Sequence, residues 1–132
     1  MYLTHQDRSE PVTITEISEC FQISRNHLVK VVHFMGQRKW IITTRGKGGG
    51  LALANTPDSY RLGDLIRELE DCDRLIDCVK PSCPLNQGCQ LSAALAQAQA
   101  QFFATLNQYT LADMLRAPTG LSIIQLHRNN GH

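Results

Sequence analysis

Three of the five cysteines fall within twelve residues, Cys78-Val-Lys-Pro-Ser-Cys83-Pro-Leu-Asn-Gln-Gly-Cys89, with four residues between the first pair and five between the second. Pro81, Pro84 and Gly88 break regular structure here, so these thiols sit on a folded-back loop. Such a loop can aim several sulfurs at one point. Converging thiolates are the ligand set of soft metals and iron–sulfur clusters. Cys78, Cys83 and Cys89 are therefore candidate metal ligands, one short of the usual four. Zinc is the rival, with Cys72 or a histidine as fourth ligand, but the Cys-x-x-Cys knuckle is missing. Cys20, beside Phe21, reads as a buried, unliganded thiol.

A second kind of chemistry lies nearer the N-terminus. From Ser24 to Gly50 there are six lysines and arginines and no acidic residue, whereas Asp64 to Asp77 holds six acids against two arginines. The net charge of +1 thus hides a basic half that suits a polyanion. Ser24, Arg25, Asn26 and His27 would open a helix, with Lys30 one turn on. Arginine bonds guanine through two atoms, and asparagine does the same to adenine. Arg45 and Lys47 stand among the four glycines of Arg45–Gly50, a tip able to approach a phosphate or the minor groove closely. Its glycine spacing is not that of a phosphate-binding loop.

The elements that must position these residues follow from periodicity. Ile14, Ile17 and Phe21 keep helical spacing behind a cap at Thr13 or Thr15. After the break Gln22-Ile23, Ser24 caps a helix from Arg25 to about Met35, with Leu28, Val31, Val32 and Met35 inward and Gly36 as its stop. The pair predicts a helix-turn-helix, although the turn has no glycine. Trp40–Thr44 and Leu51–Leu53 read as strands of a hairpin, so the whole is a winged helix. A helix over 60–71 follows, with Leu62, Leu65, Ile66 and Leu69 inward. A long helix then runs from Gln90 to about Tyr109, striped by Leu91, Leu95, Ala98, Phe102, Leu106 and Tyr109. A short helix begins in Thr110–Leu115.

The fold class is mainly α with a small β-hairpin: winged helix-turn-helix over 1–71, cysteine loop over 72–90, dimerisation helix over 91–117 and flexible tail over 118–132. The long helix suits pairing with a second copy, as helix-turn-helix proteins do when they read two half-sites. No apolar run nears the roughly 20 residues a bilayer needs, and the N-terminus lacks a signal peptide. Cytoplasmic location and thiol chemistry in place of structural disulfides are the expectation. No nucleophile–base pair stands out, so a hydrolytic enzyme is not expected, and the chain reads as no enzyme. An electron-carrier or redox-enzyme subunit using the same cysteines and a zinc-stapled interaction module remain the readings of a different class.

The chain resembles the NsrR family of nitric-oxide-sensing repressors, within the Rrf-type winged-helix regulators. The resemblance lies in Ile23–Val32, Arg45–Gly50, Arg61–Glu70, Asn107–Asp113 and the Cys78, Cys83, Cys89 spacing; an iron–sulfur-biogenesis relative has wider spacing and a histidine ligand. It implies a homodimeric repressor on a double-stranded operator, with the three cysteines holding an iron–sulfur cluster, 2Fe–2S in preference to 4Fe–4S. Nitric oxide would attack that cluster and release the operator of detoxification genes. An iron- or redox-responsive regulator of the same family is the alternative. In the family a helix precedes the equivalent of Met1-Tyr2-Leu3-Thr4 and lends an aspartate to the partner's cluster. Met1–Leu3 reads either as the last turn of a helix cut short or as a native short start, and Asp7 does not match the aspartate.

Overall fold

The computed structural model describes residues 1–5, 7–71, 74–78 and 81–130. Its helices are α1 (Ile14–Phe21), α2 (Arg25–Gln37), α3 (Leu62–Leu69), α4 (Gln90–Leu106) and α5 (Thr119–Asn130), and its strands β1 (Ile41–Thr43) and β2 (Leu51–Leu53). They form two compact units, one of residues 1–59 with 111–132 and one of residues 60–110.

The first unit holds the helix-turn-helix and the hairpin. Thr13 caps α1, its hydroxyl accepting from the Glu16 amide at 3.1 Å. The turn needs no glycine because Gln22 itself takes the left-handed conformation, φ 52°. Ile23 N–H then donates to the Ser18 carbonyl at 3.0 Å, and the Ser18 hydroxyl to the Ile23 carbonyl at 2.7 Å. The first of these bonds meets an orphan carbonyl of the α1 end, and the second ties the turn back to the helix. Gly36 does not stop the second helix, as the sequence suggested; α2 runs on to Gln37, and the left-handed residue is Lys39, φ 57°.

Strands β1 and β2 pair antiparallel, Ile41 opposite Leu53 and Thr43 opposite Leu51. Val12 extends the pairing, its carbonyl accepting from the Leu51 amide at 2.7 Å. Val32, Ile41 and Leu51 form the buried centre, with Leu3, Ile14, Ile17, Leu28, Met35 and Leu53 packed around it. Ile14 and Ile17 of α1 and Leu28, Val32 and Met35 of α2 therefore gather with the hairpin at this centre, as a winged helix requires, whereas Phe21, expected inward, is 45% exposed.

Residues 119–130, expected as flexible tail, are helix α5 with Ile123 and His127 buried. The reason lies at the other end of the chain. The His127 ring stacks on Tyr2 at 4.0 Å, and its Nε2–H donates to the Tyr2 carbonyl at 2.8 Å. Its Nδ1 accepts from Arg8 at 3.2 Å. A carbonyl only accepts and a guanidinium only donates, so these partners select the Nε2–H tautomer. Arg8 also grips both Glu16 oxygens, at 2.7 and 2.8 Å. The Tyr2 hydroxyl donates to Glu16 at 2.5 Å. Tyr2 is accordingly among the buried residues.

In the second unit α3 packs against α4. Asn107, just past α4, accepts the Asp64 amide and returns its own amide N–H to the Asp64 carboxylate, both at 3.0 Å. Gly63 is buried at this contact, where a Cβ would run into the Asn107 side chain and the Phe103 carbonyl. Phe103 is the buried residue of α4, and the Arg67 guanidinium lies 4.5 Å from its ring centre.

Candidate nucleic-acid interface and cysteine loop

The residues predicted to meet DNA all belong to the first unit. Ser24 caps α2, its hydroxyl accepting from the His27 amide at 3.5 Å. With Val32 buried and Leu28 half-buried, the opposite side of the first turn faces solvent, and Ser24, Arg25, Asn26, His27 and Lys30 are exposed. Arg45 and Lys47 are exposed at the hairpin tip. That tip turns because Gly46 and Gly48 adopt φ of 92° and 79°, values that side-chain-bearing residues rarely take.

A groove of about 350 Å³ runs between the start of α1, helix α2 and the wing, lined among others by Thr13, Thr15, Arg25, His33, Thr44 and Arg45. It brings Arg25 and Arg45 together and has no acidic residue in its wall; Asn26, His27, Lys30 and Lys47 do not line it. The sequence reading missed Thr15 as part of this surface. It weighed Thr15 as a cap for α1, and with Thr13 capping, the Thr15 hydroxyl is left to accept from Arg25 Nε at 3.4 Å.

The cysteine loop lies in the second unit. The Cys83 amide donates to the Cys78 carbonyl and the Asn86 amide to the Cys83 carbonyl, each at 3.0 Å. Gly88 turns with φ 96° into α4, which Cys89 caps without a side-chain hydrogen bond. Cys78, Cys83 and Cys89 are free, half-buried thiols, the donors a soft metal or cluster takes. Among the described residues, no three His, Cys, Asp or Glu side chains stand close enough to hold one ion. The loop supplies a fitting donor set, not an assembled site. Cys72, the suggested fourth ligand, lies outside the described residues. Cys20 is half-buried on α1 in the other unit, not fully buried as its neighbours suggested.

On α4 the expected stripe is largely uncovered. Leu91 and Phe102 are 65% and 55% exposed, while Phe103, outside the stripe, is buried. Phe102 meets Phe103 edge to face at 5.2 Å. Ile66, Leu75, Ala98, Phe102 and Phe103 line a mostly apolar cleft of about 390 Å³. Among the described residues, no helix is long and apolar enough to cross a membrane.

The model of the Rrf2 family, described as an iron-dependent transcriptional regulator, matches residues 1–117. The chain belongs to the Rrf2 family. It is a transcriptional regulator and not an enzyme. Solved structures of other regulators share its fold. CymR, the global cysteine regulator of B. subtilis, is 21% identical with a TM-score of 0.62, over 86% of this chain and 82% of that one. IscR of T. potens is 25% identical with a TM-score of 0.60, over 81% and 70%. A transcriptional regulator from Listeria innocua is 22% identical with a TM-score of 0.67, over 89% and 78%. The mainly helical, hairpin-bearing winged-helix architecture is therefore that of known Rrf2 regulators.

Proposed function

We propose that this Rrf2 regulator is a cytoplasmic, homodimeric repressor that binds a double-stranded operator through the start of α2 and the wing. The observation that carries the reading is the acid-free stretch from Ser24 to Gly50, which folds into an exposed helix start and an exposed basic hairpin tip. In this reading Arg25 and Asn26, both exposed, meet base edges. Ser24, His27, Lys30, Arg45 and Lys47, exposed around them, hold phosphates, which fix register and dominate affinity.

Cys78, Cys83 and Cys89 are proposed as the sensor. A bound iron–sulfur cluster, 2Fe–2S in preference to 4Fe–4S, would supply iron that reacts with nitric oxide. The chain's own part is to present three thiols from a turn-rich loop, half-buried and unpaired by disulfides. Nitric oxide as the signal and detoxification genes as the target rest on the NsrR resemblance. A second reading, an iron- or redox-responsive regulator, draws support from the iron dependence in the family's description.

Two measurements on the anaerobically reconstituted protein test this. Iron, sulfide and zinc counts with an absorption spectrum should give a brown protein whose visible bands collapse on adding nitric oxide. Duplexes enriched from a random-sequence pool should bind far better than the unselected pool. A colourless protein carrying one zinc per chain overturns the cluster, and equal affinity for selected and unselected DNA overturns the repressor. Bands that survive nitric oxide but change with oxidant favour the second reading.

A further inference from the structure

Resting on the DNA-binding reading, we propose that Thr15 is a positioning residue for sequence recognition: its hydroxyl holds Arg25 by Nε and leaves the other end of the guanidinium to read the base. The contact joins the two helices of the helix-turn-helix, Nε donating to Thr15 Oγ1 at 3.4 Å. It exists because Thr13, not Thr15, caps α1.

A guanidinium can make a two-pronged bond along either of two edges, side-on through Nε and one terminal nitrogen, or end-on through both terminal nitrogens. With Nε held by Thr15, the end-on edge is the one left for guanine O6 and N7. The tether also removes part of the rotamer freedom that Arg25 must give up on binding. Its partner is a neutral hydroxyl, and no acid lines the groove, so the positive charge stays available to DNA. Arg8, clamped by both Glu16 oxygens in the same unit, shows the opposite use of an arginine.

The test uses duplexes that the wild-type dimer enriches from a random-sequence pool, with Thr15→Val, Thr15→Ser, Arg25→Ala and the Thr15→Val/Arg25→Ala double variant. Thr15→Val should weaken the selected duplex roughly 3–10-fold, the effect of losing one long, solvent-exposed hydrogen bond. It should lower discrimination at one base pair by the same factor. Affinity for unselected DNA and the salt slope should stay unchanged. Thr15→Ser should restore selectivity, and the double variant should be no worse than Arg25→Ala alone. Thr15 is exposed, so the melting temperature is the control for folding. Wild-type selectivity in Thr15→Val, a Thr15→Ser that fails equally, or additive losses in the double variant would each overturn the inference. If the wild type enriches no sequence, the DNA-binding reading fails first, and its failure is told apart by that.

Discussion

At the scale of single residues, Arg25 and Lys47 carry the same charge and should fail differently. Arg25 opens α2 with a guanidinium held by Thr15, whereas Lys47 stands exposed on a glycine-turned tip. Arg25→Ala should cost about 1–3 kcal/mol on the selected duplex and relax specificity at one base pair. Lys47→Ala should weaken all duplexes alike and lower the slope of log affinity against log salt by about 1. Fluorescence anisotropy on selected and random duplexes, over a salt series, separates the two; a Lys47→Ala that changes base preference would contradict a phosphate role. Both residues are legible in the sequence, because a capped amphipathic helix and a glycine-rich tip declare their outer positions. Thr15 is not. Which of two threonines caps α1 depends on the chain before it, and only the folded cap frees the second hydroxyl for Arg25.

At the scale of elements, α5 exists through contacts that no local pattern announces. His127 and Tyr2, which hold it, are 125 residues apart, and segment 119–130 alone gives a weak stripe. His127→Ala should therefore lower stability by roughly 2–4 kcal/mol, from lost packing and an orphaned Arg8 donor and Tyr2 carbonyl. His127→Phe, which keeps a stacking ring, should lose less; equal losses would place the whole effect in the hydrogen bonds. The same cluster sets an acid limb. Partial burial pushes the Glu16 carboxyl up, but hydrogen bonds from Arg8 and Tyr2 and the Arg8 charge outweigh it and hold the group low. A depressed folded value contributes stability above the unfolded one, near pH 4.3 for glutamate, and loses it as pH falls through the folded value. Melting temperatures should drop below about pH 4, and Glu16→Gln should flatten that limb. Tyr2 sets an alkaline counterpart, since burial and then the Glu16 bond push its phenol up to about 12. In the second unit, Gly63→Ala should destabilise by about 1–3 kcal/mol, because the added Cβ meets Asn107 and a backbone carbonyl.

At the scale of the whole molecule, α4 decides what the chain must find outside itself. Adjacent Phe102 and Phe103 cannot both face inward on a helix, and periodicity alone does not say which does. The structure buries Phe103 under Arg67 and leaves Phe102, Ala98 and Leu91 in the open. In the proposed dimer, an exposed apolar face of this kind is what the second copy would cover. Leu91→Glu with Phe102→Glu places charges on that face without touching Phe103, so each protomer should stay folded by circular dichroism. Sedimentation should then report monomer, where the parent chain is expected to give the proposed dimer. Selected-duplex affinity should fall, because one protomer grips one half-site and loses the gain that linking two provides. A doubly substituted chain that still sediments as a dimer would move the pairing surface off the exposed face of α4.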